Sequence, residues 1–68
     1  MDISLDSLPS VKGKTLEEAR QILEPHGITA VRPLMVDGKL MMGTMDWRPD
    51  RLNVSIQDGL ITHMDKLG

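Results

Sequence analysis

The sequence predicts an α+β domain: a small sheet of about three to four strands, one α-helix packed on one face, and a long exposed loop between two strands. Three observations lead there: a complete helix signature between residues 13 and 27, strand patterns at 28–36 and 52–57, and an Asp58-Gly59 turn into a last strand. The 68 residues make a single domain, 1–68, and at this size folding hides only about 60% of the surface an unfolded chain exposes. Residues 1–8, "MDISLDSL", carry no periodicity and read as a loose N-terminal segment.

The helix is the best-marked element. In "GKTLEEARQILEPHG" Thr15 is placed to cap the N-terminus and Glu18, three residues on, to return the bond as its capping-box partner. Leu16, Ala19, Ile22 and Leu23 fall on one stripe at helical spacing, with Glu17, Glu18, Arg20, Gln21 and Glu24 on the other side. Pro25 stops the helix near Leu23 or Glu24, and Gly27 follows the end.

"ITAVRPLMV", residues 28–36, has the β-branched and apolar content of a buried strand, and Pro33 predicts that its regular part ends near Arg32. "LNVSIQ" alternates Leu52, Val54 and Ile56 with Asn53, Ser55 and Gln57, the period of a strand with one buried face. Asp58-Gly59 then makes a tight hairpin turn into "LITHM". Residues 33–51 remain as a long connection with little regular pattern, and such connections in a small domain mark the place to seek function.

Composition excludes several classes. A net charge of −2 with no run of Lys or Arg lacks the electrostatic footprint of a nucleic-acid binder. No segment approaches the roughly 20 apolar residues of a membrane span. The start "MDISLDSLPS" lacks the basic and apolar regions of a signal peptide, so the expected location is cytoplasmic as encoded, a removed leader being the one route to export. There is no cysteine, and His26 and His63 are too few for a structural zinc site, so no metal or cofactor is expected. Ser4, Ser7, Ser10, Thr15 and Ser55 are scattered without an evident base, which does not predict an enzyme.

Met35, Met41, Met42 and Met45 offer thioethers to a soft ion such as Cu(I), but with no cysteine or nearby histidine they read as packing or loop contacts. His26 at the end of the helix and His63 on the last strand read as structural.

Two motifs remain: Pro9 followed by "GKTLEEAR", and "TMDWRPDRLNV" at residues 44–54. Threonine, a large residue, an acid, an aromatic and an arginine ahead of a strand serve no evident folding need. Together the two motifs resemble the potato inhibitor I family of serine protease inhibitors, most of all its microbial relatives, from about Pro9 to Gly68. The resemblance implies a protease inhibitor whose reactive bond is Met45-Asp46, on a loop held in a substrate-like shape, with Met42, Gly43, Thr44, Trp47 and Arg48 as further protease-contacting residues.

An apolar, adaptable Met45 suits the main pocket of a chymotrypsin-like or subtilisin-like serine protease, not one built around a buried acid. By the same resemblance Arg51 braces Asp46 and carbonyls near Thr44 from beneath, and Asn53 adds amide hydrogen bonds where many plant members carry a second arginine. Trp47 is either an interface anchor or, in a chain without Phe or Tyr, the largest available core filler.

The chain departs from the family between Pro33 and Thr44, where "LMVDGKLMMG" is several residues longer than the usual connection and contains its own Asp37-Gly38 turn. That pattern reads as an inserted hairpin over residues 34–42. It supports an alternative: a non-inhibitory protein-binding module on the same fold that recruits a partner, or a second copy, through the hairpin and an exposed strand edge. Neither motif sets the oligomeric state.

Overall fold

A computed structural model describes residues 4–41 and 46–68. Helix α1 (Leu16–Leu23) starts with the expected capping box: the Glu18 N–H donates to Thr15 Oγ1 at 3.2 Å and the Thr15 N–H to Glu18 Oε1 at 3.0 Å. It tightens into a 3-10 turn at Glu24–His26 that begins at the Pro25 barrier, and Gly27, with φ 88°, takes the left-handed conformation that ends it. Residues 4–8, expected to be loose, include a 3-10 turn at Leu5–Ser7, and Leu5 and Leu8 lie partly buried against the core.

The strands are β1 (Ala30–Val36), β2 (Lys39–Leu40), β3 (Arg51–Gln57) and β4 (Leu60–Leu67). They form one sheet in the order β2-β1-β3-β4, with β1 and β3 parallel and the outer pairs antiparallel. One helix on a mixed four-stranded sheet is the α+β architecture expected from the sequence.

The first strand does not end near Arg32; it continues to Val36. Two features accommodate Pro33. Among the described residues strand β2 pairs with Met35 and Val36, beyond Pro33, and the pairing of β1 with β3 slips by one residue between Pro33 and Met35. The Asp37-Gly38 turn closes the β1–β2 hairpin, with both φ angles positive, at 50° and 82°, as a type I′ turn requires.

The core is Val11, Ala19, Leu23, Ile28, Leu52, Val54, Ile56 and Ile61, so the even-numbered face of β3 packs on the apolar stripe of α1. Strand β4 reaches the same core with an unusual spacing. Leu67, Met64 and Ile61 stand opposite Leu52, Val54 and Ile56, three residues apart where a regular strand needs two. Asp65 and Thr62 are the extra residues of two bulges, and both bind Ser55: its Oγ donates to Asp65 Oδ2 at 2.7 Å, and Thr62 Oγ1 donates to the Ser55 carbonyl at 3.2 Å.

The segment before the helix closes the far side of β4, where the Gly13 N–H donates to the Ile61 carbonyl at 2.7 Å and the Ile61 N–H to that of Lys14 at 2.8 Å. Val11 is thereby carried into the core with no exposed surface. Among the described residues no helix is long and apolar enough to cross a membrane.

Candidate functional site

Because β3 sends Leu52, Val54 and Ile56 toward the helix, alternation turns Arg51, Asn53 and Ser55 to the opposite, helix-free face. Residues paired across neighbouring strands share a face, so Arg32 joins Asn53, and Met35 and Leu40 join Ser55. The connection from β2 back to β3 ends over this face.

Arg51 is 7% exposed, and its guanidinium is spent on the backbone. Nε donates to the Gly68 carbonyl at 2.8 Å and Nη2 to the Asp46 carbonyl at 2.9 Å, while Nη1 lies 3.6 Å from Asp46 Oδ2. Asp46 is thus gripped by both its main chain and its side chain. Planar and multiply donating, a guanidinium suits this task in a way a lysine ammonium does not.

Asn53 is fully buried and serves the same corner by another route. Its Nδ2 donates to the carbonyls of Gly68 at 2.9 Å and Lys66 at 3.2 Å, and its Oδ1 accepts from Arg32 Nε at 2.7 Å. The Gly68 N–H in turn donates to the Arg51 carbonyl at 2.9 Å. Gly68 has φ 139°, and a Cβ there would come within 2.9 Å of Trp47 Cδ1, so the indole lies directly on it. Trp47 is 72% exposed. It is not a core filler.

The exit of the loop is fastened at Asp50. Its carboxylate accepts from the Thr29 hydroxyl and, at 3.3 Å, from Arg48 Nη2, and its carbonyl accepts from the Thr29 N–H at 2.9 Å. The Thr29 hydroxyl foremost, then a backbone hydrogen bond at Asp50 itself and Arg48, hold the Asp50 carboxyl below its ordinary pKa of 3.8, against a partial desolvation that opposes them. The Arg51 N–H donates to the Arg48 carbonyl at 3.2 Å and so closes the turn into β3.

Of the residues expected at the site, Asp46 and Arg51 are in contact, and Trp47 and Arg48 lie at the surface beside them. Asn53 is adjacent, but its hydrogen bonds run to Arg32, Lys66 and Gly68. Met42, Gly43, Thr44 and Met45 lie outside the described residues. Sequence reasoning missed Arg32, Thr29, Asp50 and Gly68. Arg32 had a visible signal, a cation in an otherwise apolar strand; the other three had none before the sheet brought them together.

The β1–β2 hairpin of residues 34–41 is locked to the rest of the sheet. Asp37 Oδ1 accepts from the Asp58 N–H at 2.8 Å, and the Asp37 N–H donates to the Ile56 carbonyl at 2.9 Å, which ties its turn to the β3–β4 turn. The Met41 N–H donates to the Leu34 carbonyl at 2.8 Å. Leu40, 70% exposed, and the half-exposed Met35 and Met41 leave apolar surface on the hairpin.

Nothing at Ser55 has the geometry of a nucleophile. Its hydroxyl donates to the Asp65 carboxylate, and His63 Nδ1 lies against Thr62 Oγ1 at 3.2 Å. A cleft lined by Glu17, Arg20, Gln21, Glu24, Ile28 and Thr29 runs along α1, and its one hydroxyl, on Thr29, is donated to Asp50. Among the described residues no group of three or more His, Cys, Asp or Glu could hold a metal ion.

No family model, no curated protein and no solved structure matches this chain.

Proposed function

We propose that the chain is a serine protease inhibitor acting through an exposed, substrate-like loop with the reactive bond Met45-Asp46, directed at chymotrypsin-like or subtilisin-like enzymes. The observation that carries the reading is the grip of buried Arg51 on the carbonyl and carboxylate of Asp46. An ordinary surface loop has no need of a buried guanidinium beneath it, because water serves its carbonyls as well.

For inhibition the grip has a definite use. A protease serine that attacks the Met45 carbonyl expels the Asp46 amine as its leaving group. With Asp46 tethered by Arg51, and Trp47 seated on Gly68, that amine stays beside the acyl-enzyme and can attack it to restore the bond. A prepositioned loop also loses little conformational entropy on entering the cleft. Both effects convert a substrate into an inhibitor.

The test is titration of subtilisin and chymotrypsin with the purified protein, following residual activity while intact-mass spectrometry watches for cutting after Met45. Stoichiometric loss of activity with an uncut or slowly cut chain is expected. Undiminished activity with rapid cutting there would sink the reading.

A second reading has one observation in its favour, the exposed Leu40, Met35 and Met41 of the β1–β2 hairpin, which suit a protein-binding module without inhibitory action. Leu40→Ser with Met41→Ser separates the two: an inhibitor keeps its protease, whereas a hairpin-based binder loses its partner and any concentration-dependent size.

A further inference from the structure

The helix-free face holds a second guanidinium, one that does not belong to the loop motif. Arg32 stands opposite Asn53 in the parallel pairing of β1 and β3, partly buried, with Nε 2.7 Å from Asn53 Oδ1. An arginine only donates, so an asparagine facing it must turn its carbonyl oxygen that way. The amide nitrogen is then aimed at the Lys66 and Gly68 carbonyls, where it makes bonds of 3.2 and 2.9 Å.

The Gly68 oxygen takes a second bond, from Arg51 Nε at 2.8 Å, and the same guanidinium holds the Asp46 carbonyl. A flipped amide would set Oδ1 against two carbonyl oxygens and Nδ2 against a guanidinium, in a side chain with no exposed surface. Unmet polar groups in such a place are expensive, so the orientation is enforced.

We propose that Arg32 is a positioning residue for the loop: it locks the Asn53 amide so that Asn53 and Arg51 converge on the Gly68 carbonyl, which holds the Arg51 guanidinium in register with Asp46. The functional consequence rests on the inhibitor reading; the lock itself is a property of the fold. The second cation beneath the loop is supplied from β1, across the sheet, and not by the next outward-facing residue of β3.

The experiment uses Arg32→Met, which removes every donor, and Arg32→Lys, which keeps a donor-only group. In the 15N-labelled protein the Asn53 side-chain amide is expected to exchange slowly, about tenfold faster in Arg32→Met, and near the starting rate in Arg32→Lys. In complex with subtilisin, cutting after Met45 accelerates about tenfold in Arg32→Met. A core control, Ile61→Val, lowers stability without touching the network and leaves the cutting rate unchanged.

Unaltered Asn53 exchange in Arg32→Met overturns the lock. Faster exchange with unaltered cutting overturns its link to the loop. If the unsubstituted protein inhibits neither subtilisin nor chymotrypsin, it is the inhibitor reading that fails, and the Asn53 exchange still decides the lock.

Discussion

Arg51→Ala removes the group on which the corner of the molecule converges. The guanidinium makes hydrogen bonds of 2.8 Å to Gly68 and 2.9 Å to Asp46, and an ion pair of 3.6 Å to the Asp46 carboxylate. A hydrogen bond from a charged donor contributes about 1.5–3 kcal/mol. The Asp46 side chain is 52% exposed, so the ion pair adds only about 0–1 kcal/mol. After truncation the Gly68 oxygen keeps its bond from Asn53, and solvent reaches Asp46, so neither acceptor is left bare. The net loss is therefore about 2–4 kcal/mol, below the sum of the parts.

A small domain has about 5–15 kcal/mol in all, so the variant remains folded near room temperature with a visibly lower urea midpoint. With a urea slope of about 1–3 kcal/mol per molar, the midpoint falls by at least about 0.7 M. Arg51→Lys restores the charge without the planar fork and recovers less than half of the loss. On the inhibitor reading, Arg51→Ala is also cut rapidly after Met45 by subtilisin. A midpoint shift equivalent to less than about 0.5 kcal/mol, with cutting no faster than before, would refute the reasoning that this arginine braces the loop.

Thr29→Val tests the fastening at Asp50. The folded carboxyl ionises below its ordinary value of 3.8, so the stability it confers is complete above that pH and is lost as the pH falls through the lowered folded value. Without the hydroxyl donor the acid limb becomes shallower in thermal melts followed by circular dichroism from about pH 5 to about pH 2. Gly68→Ala must move the indole that a Cβ would meet at 2.9 Å, in a backbone conformation with φ 139°, so the near-ultraviolet circular dichroism of the single tryptophan weakens as Trp47 loses its fixed seat on Gly68. Thr15→Ala breaks the capping box and costs about 1 kcal/mol by chemical denaturation, with no change at the loop.

The helix and the main strands were legible because their signals are local. A capping box, a proline barrier and a left-handed glycine act within one turn of backbone, and the alternation of Leu52, Val54 and Ile56 needs only the period of a strand. The Asp58-Gly59 and Asp37-Gly38 hairpins were equally plain, since the type I′ turn demands positive φ at both positions and these residues tolerate it. The site was half legible. Asp46 and Arg51 stood out from the motif, but Asn53 was expected to serve the loop directly and is found instead between Arg32 and Gly68.

Composition and pattern by themselves determined the small α+β fold, the helix with its buried stripe, the central strand and the presence of a loop between strands. Tertiary structure alone decided that β1 runs on through Pro33, because pairing register and a slip at one residue depend on the neighbouring strand and not on the proline. It decided the two bulges of β4, which bring Leu67, Met64 and Ile61 to one face at a spacing no local period predicts. It also placed Arg32, Asn53, Arg51 and Gly68 in one network, as only the parallel pairing of β1 with β3 and the antiparallel return of β4 bring residues so distant in sequence within hydrogen-bonding reach. Local propensity acts over a few residues, and partners across a sheet are chosen by which faces can be buried together.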